Sequence, residues 1–203
     1  MPLCRFFAAT YDRSIRRAED AGLRDRRARL LRNLEGDVLE IGAGTGLNLE
    51  HYPKGARLVL AEPDPHMRHL LLERLAGSGR QARVVEATAE DSPFADGSFD
   101  AVVSTLVLCS VQSLPAALAE IRRVLRPHGT LLLIEHVRGT GGRAALQEVV
   151  APVSRLLFSC SPDRRTADAI RAAGFELDDH AFELDGGAPW TKPAIEGVAI
   201  RAS

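Results

Sequence analysis

The first 35 positions carry a helical stripe: Leu3, Phe6, Phe7, Thr10, Tyr11, Ser14, Ile15 and Ala18 follow a three-and-four spacing, which resumes after Gly22 with Leu23, Leu30, Leu31 and Leu34. That period predicts two amphipathic helices interrupted at the glycine. From Asp37 the pattern becomes an alternation of short apolar runs and amphipathic segments. Strands are predicted at Val38 to Ile41, Arg57 to Ala61, Ala82 to Glu86, Phe99 to Thr105 and Thr130 to Glu135. Between them, Pro65 to Ala76 places Met67, Leu70, Leu71 and Leu75 on one face, and Ser113 to Leu125 does the same with Leu114, Leu118, Ile121 and Leu125. Towards the end, Thr166 to Ala173 reads as a helix stopped by Gly174, followed by strands around Phe175 to Phe182 and Gly197 to Ala202.

Strands and helices alternating at this length predict an α/β fold: a mostly parallel sheet of seven strands with helices on both faces and an N-terminal helical cap. At 203 residues the chain is one domain, divided into the cap at 1–35 and the core at 36–203. Ligands of such sheets bind beyond the carboxyl ends of the strands, where the strand order reverses.

Composition narrows the classes. Hydrophobic residues make up 45% and charged residues 26%, so a packed core is expected and disorder is not. With 26 basic and 27 acidic residues the net charge is −1, which provides no broad footprint for nucleic acid. The cap departs from this balance, with nine arginines against four acids through Leu34. A solvated helix face whose arginine stems cover apolar surface accounts for it, with contact to a membrane surface as the alternative. The most apolar stretch, Ala101 to Val111, is too short and interrupted to span a bilayer. Cys4, Cys109 and Cys160 are far apart and form no CxxC pair, so neither a disulfide framework nor a metal site is expected, and with no signal-peptide core a cytoplasmic setting fits.

The strongest chemical signal is VLEIGAGTG, Val38 to Gly46, a strand running into a turn with Gly42, Gly44 and Gly46. Such glycines allow a tight turn and close approach of a ligand to the peptide groups. Glu62 follows 20 residues after Gly42 at the end of the next strand, where a carboxylate accepts the hydrogens of both ribose hydroxyls. Together these indicate an adenosine-containing cofactor. The nicotinamide fingerprint requires a glycine at position 47, and this chain has Leu47. Glu40, just before the loop, suits a ligand bearing an amino group and a sulfonium, the charges of S-adenosylmethionine (SAM).

Here the sequence resembles the class I SAM-dependent methyltransferases, whose core is Rossmann-like. Val84 to Val111 is similar to their third and fourth strands with the adenine-side loop, and RRVLRPHGTLLLIEH, Arg122 to His136, to their fourth helix and fifth strand. Within that class TLVLCSVQS, the EHV at Glu135 to Val137 and the tail to Pro189 and Trp190 look like the alkyl thiol methyltransferases. The resemblance implies that Glu40, Gly42, Ala43, Gly44, Gly46 and Asn48 surround the methionine moiety. It implies Glu62 on the ribose, Pro63 beside the adenine, and Thr88, Ala89 and Glu90 in the loop bordering that ring. Thr105 and Leu106 would lie near the transferable methyl, and Tyr11 would close over the methionine end. The usual adenine-loop aspartate falls at Thr88, leaving Glu90, Asp91 or backbone to meet the adenine amino group. The relatives' apolar anchor is replaced by a mixed, Arg-rich helix, so membrane residence is not carried over.

Methyl transfer from a sulfonium is an in-line displacement that demands alignment and exclusion of water. A small-molecule acceptor, a thiol by resemblance, must lose a proton, and His136 with Glu135 beside it is the expected catalytic pair. His136 can act as base, as an orienting group or as a loop residue; Glu135, on the other strand face, can instead pin that loop. Trp190 and the apolar stretch Arg143 to Ser159 are candidates for the acceptor pocket's wall and lid, while Arg164 and Arg165 read as solvated. The rivals are methylation of nitrogen, oxygen or carbon on a lipid headgroup, quinone or natural product, a nicotinamide-dependent oxidoreductase, and a cofactor-binding module without catalysis.

Overall fold

A computed structural model describes residues 2–158 and 160–202, with side chains for 7–156 and 160–202; the side chains of Leu3, Cys4, Phe6 and Leu157, and all of Ser159, lie outside that set. Seven strands form one sheet in the order β3-β2-β1-β4-β5-β7-β6: β1 Asp37–Ile41, β2 Arg57–Ala61, β3 Ala82–Val85, β4 Phe99–Thr105, β5 Leu125–His136, β6 Phe175–Glu183 and β7 Pro193–Arg201. The first five pair in parallel, and β7 lies antiparallel between β5 and β6.

Alternation along the inner strands divides the core in two. Val38, Ala101 and Val103 face a cluster with Leu58, Leu60 and Leu71, while Leu39, Ile41 and Val102 face one with Leu118, Ile121 and Ile170. The first cluster is covered by helices α2 (Arg24–Leu31) and α3 (Pro65–Ser78), the second by α4 (Leu114–Val124) and α6 (Thr166–Ala172). Because both faces are covered, β1 and β4 read as nearly continuous apolar runs.

Local chemistry sets the helix ends. The Asp64 carboxylate accepts from the His66 and Met67 amides at 2.8 and 2.9 Å with Pro65 at the first helical position, and Gly79 in the left-handed region ends α3. Ser113 caps α4 in the same way, through the Ala116 amide. In the cap, α1 (Pro2–Ala18) passes through a π-helical turn, Glu19–Leu23, before α2; Gly22 at φ 118° makes the break. Helix α5, Gly141–Phe158, carries Pro152 internally and leaves Val149, Val153 and Leu156 exposed. No described helix is long and apolar enough to cross a membrane.

Two strands, β5 and β7, begin several residues before the expected position. β5 begins at Leu125 because the chain passes through a left-handed residue, His128, and a register shift opposite Phe99 and Ala101 before regular pairing starts. β7 begins at Pro193, whose missing N–H is tolerated at a strand's first position.

Candidate active site

The strand order reverses between β1 and β4, and the segments leaving the carboxyl ends of these two strands meet there. After β1, Gly42, Gly44 and Gly46 all have positive φ. At Gly42 a Cβ would stand 2.7 Å from the Val107 side chain, and at Gly46 it would stand 2.8 Å from Leu71, so these two glycines let the loop close on its neighbours. Glu62, at the end of β2 and 6% exposed, accepts from the Gly44 amide at 2.8 Å with one oxygen and from the Asp64 amide at 2.9 Å with the other. Each carboxylate oxygen keeps a further lone pair for a ligand. Burial raises the Glu62 carboxyl, and the two amides oppose that rise.

Beneath the loop lies a buried polar network. Glu40 accepts from Asn48 Nδ2 at 2.9 Å and from the Tyr52 hydroxyl at 2.8 Å. Burial still pushes its carboxyl up to about 7. Arg27, 3% exposed, donates through Nη1 to Asn48 Oδ1 at 2.8 Å and Thr105 Oγ1 at 2.9 Å, and through Nε to Glu19 at 3.1 Å. Burial likewise pushes the Tyr11 phenol up to about 12. Tyr11, Arg27, Glu40, Gly42, Ala43, Gly44, Asn48 and Thr105 line a cavity of only about 20 Å³. The cap is pinned over it: Thr45 Oγ1 donates to Asp12 at 2.6 Å, and Arg74 pairs with the same carboxylate. A groove of about 1660 Å³ is lined by Asp12 and Glu19 of the cap together with Gly46, Lys54, Arg74 and Arg83, but it excludes Glu40, Glu62 and Thr105.

At the ends of β4 and β5, Leu106 turns the chain with φ 61°, its amide donating to the Ile134 carbonyl at 2.7 Å. The fully buried Glu135 carboxylate accepts from Ser104 Oγ at 2.6 Å and from the amides of Val107, Leu108 and Cys109 at 2.9, 3.0 and 3.2 Å. With four donors on two oxygens, Glu135 holds the loop, the second of its two expected roles. On the opposite strand face, His136 Nδ1 lies 3.7 Å from the sulfurs of both Cys109 and Cys160. Both thiols are buried and free. Burial pulls the His136 imidazole down, but the Cys109 sulfur and the Glu135 carboxylate together outweigh it and the net shift is upward. The contact between the two thiols raises Cys109 and lowers Cys160.

Most of the expected cofactor residues converge, with differences of physical origin. Gly46 does not line the small cavity; it packs on α3. Leu106 packs against Ala18, Leu23 and Ile134. Glu90 accepts from the amides of Gln112 at 2.7 Å and Ser113 at 3.2 Å, so it braces the start of α4. Thr88 caps a turn through the Asp91 amide, Ala89 is buried in the core and Pro63 is exposed. Arg164, expected in solvent, is half-buried and donates to the carbonyls of Leu108 and Val111, both at 2.5 Å. Trp190 sits in a short 3-10 turn, its carbonyl accepting from Gln147 on α5 at 2.9 Å. Arg27, Asp12, Thr45 and Tyr52 were not anticipated. Arg27 had a signal: it falls on the apolar stripe between Leu23 and Leu31, where a solvated arginine does not belong.

The sheet order and the glycine loop are those of the α/β methyltransferase fold. Residues 39–133 match the family model described as a methyltransferase domain. A SAM-dependent methyltransferase of Thermotoga maritima superposes with a TM-score of 0.72 at 21% identity, over 98% of each chain. Among proteins of known activity, the human thiol S-methyltransferase TMT1A is 38% identical over 171 residues, covering 81% of this chain and 70% of that protein. Human thiol S-methyltransferase TMT1B is 42% identical over 144 residues, 68% of this chain and 59% of its own length. The chain belongs to the methyltransferase family that includes these thiol S-methyltransferases.

Proposed function

We propose that the protein transfers the methyl group of SAM to the sulfur of a small thiol. The observation that carries the cofactor half is the pairing of Glu62 with the glycine loop: its carboxylate is oriented by the Gly44 and Asp64 amides and keeps acceptor capacity for two ribose hydroxyls. The residues beside it fit the rest of such a ligand, with Glu40 complementing an ammonium and Arg27 a carboxylate. When bound, the cofactor supplies an electrophilic methyl on a sulfonium. The chain's own contribution is to hold that ligand between loop and cap, exclude water with Tyr11 and the cap helices, and assist ionisation of the acceptor at His136, the imidazole at the end of β5 beside the Cys109 loop. The thiol half is supported by the identity to the thiol S-methyltransferases.

Calorimetric titration with SAM and with NAD tests the cofactor; binding of NAD alone would overturn the reading. Glu62→Ala should weaken SAM binding more than about tenfold, as expected on losing hydrogen bonds to a charged group. Unchanged affinity would remove Glu62 from the ribose. Assays offering an alkyl thiol, an amine and a phenol test the acceptor, and methylation of the amine or phenol without the thiol would refute sulfur.

A further inference from the structure

The loop after β4, the end of β5 and the segment before α6 each deliver one soft or borderline donor to a single point. Cys109 is 1% exposed and Cys160 8%, and His136 is the more open member. His136 Nδ1 stands 3.7 Å from each sulfur, and the three donor atoms all lie within 4.8 Å of one another. A tetrahedral zinc ion with bonds of about 2.3 Å to sulfur and about 2.0 to 2.1 Å to nitrogen requires donors about 3.6 to 3.8 Å apart. The imidazole-to-sulfur distances already meet that requirement.

The arrangement is built into the fold. The Glu135 carboxylate accepts from the Cys109 amide, the Ser161 amide donates to the Cys109 carbonyl at 2.8 Å, and Arg164 ties the second segment to the Leu108 and Val111 carbonyls. Each ligand-bearing segment is thus held by bonds that do not involve the thiols or the imidazole.

We propose that Cys109, His136 and Cys160 form a three-ligand site for zinc, with the fourth coordination position taken by the sulfur of the methyl acceptor. Two thiolates and an imidazole select zinc among common cellular cations, and three protein ligands with one open position is the pattern of a reactive zinc centre, not a structural one. The site adjoins the cofactor side, because the loop bearing Cys109 starts immediately after Thr105, which lines the cavity beside Glu40. On coordination the acceptor thiol releases its proton to solvent, and His136 acts as a ligand and not as the base. A lone pair of the bound thiolate forms the new sulfur–carbon bond while the sulfonium's carbon–sulfur bond breaks, its electron pair staying on the donor sulfur. The thioether and the neutral demethylated cofactor are then released. The metal site stands independently of the thiol reading; the fourth position rests on it.

Cobalt(II) tests the site in the full chain, purified under reductant and stripped with a chelator. One equivalent should bind per chain, with sulfur-to-cobalt charge-transfer and tetrahedral ligand-field absorption that zinc then displaces. Both signals should vanish in Cys109→Ser/Cys160→Ser, and His136→Ala should weaken binding at least about tenfold. Circular dichroism separates ligand loss from unfolding, and the single variants Cys109→Ala and Cys160→Ala serve if the double variant does not fold. Cobalt absorption no greater than in the folded cysteine variants overturns the site, whatever the acceptor is. Adding an alkyl thiol without SAM should shift the ligand-field bands. Bound cobalt with unshifted bands, in a chain that still methylates the thiol, overturns the fourth-position assignment. Absence of thiol methylation with cobalt bound would instead count against the function proposed above.

Discussion

Glu40 is an acid placed where charge is expensive, and its surroundings determine when it is ionised. Burial raises its carboxyl from 4.5 to about 7, against the pull of the Tyr52 and Asn48 hydrogen bonds. Between those values the folded chain holds a proton that the unfolded chain has released. The associated stability is therefore fully present below about pH 4.5 and lost as pH rises to about 7, by about 3 kcal/mol. Urea unfolding of the wild type and Glu40→Gln at about pH 5 and about pH 8 should show a steeper loss of stability with rising pH in the wild type. A cationic ligand favours the ionised form, so SAM binding near neutral pH should release a proton, detectable as a buffer-dependent calorimetric enthalpy. Arg27 has the same character: Glu19 neutralises it through Nε while Asn48 and Thr105 accept from Nη1. Residues of this kind are only partly legible in sequence: the spacing of Arg27 with Leu23 and Leu31 marks its face, but Asn48 and Thr105, the partners that satisfy it in the interior, lie far along the chain.

The cap behaves as two helices joined at a glycine. Asp12 fastens α1 to the glycine loop and to α3, while Leu23 and Leu31 bury α2. Between them Gly22 adopts φ 118°, where an L side chain is strained although a Cβ would meet no atom within 4 Å. Gly22→Ala should therefore cost about 1 to 2 kcal/mol through the backbone alone. Urea denaturation measures that loss; an unchanged midpoint would mean that the turn relaxes to another conformation. The interruption at Gly22 was visible in the spacing of apolar residues. That the cap lies over the cofactor side was expected by resemblance through Tyr11; its fastening was not, since that depends on Thr45 and Arg74 reaching an aspartate far away in sequence.

For the molecule as a whole, the small size of the glycine-loop cavity has a thermodynamic consequence. A space of about 20 Å³ accommodates roughly one water molecule. On the reading proposed above, the methionine end of SAM exceeds that space, so part of the intrinsic affinity goes into moving its walls. Bound ligand should still stabilise the fold, by about 2.7 kcal/mol at a hundredfold excess over Kd. For a chain of this size that corresponds to a rise in Tm of about 5 to 10 °C, measurable by scanning calorimetry. NAD at the same concentration should leave Tm unchanged.

The sheet, its glycine loop and the Glu62 position are legible in the linear chain because each depends on short-range pattern: period-two and period-3.6 burial, turn chemistry, and an acid one β-α-β step after the glycines. The cofactor class follows from the same local features, and the proposed acceptor class rests on resemblance. Tertiary structure decided what depends on distant segments meeting. Cys109 and Cys160 share no motif, and only the packing of the segment before α6 on the β4 loop brings their sulfurs to one imidazole. Glu135 and Glu90 also meet backbone donors from segments distant in sequence, the amides after Leu106 and those at the start of α4. A sequence reports what each residue can do; the partners that use up or leave free that capacity are set by chain segments that are distant in sequence and adjacent in space.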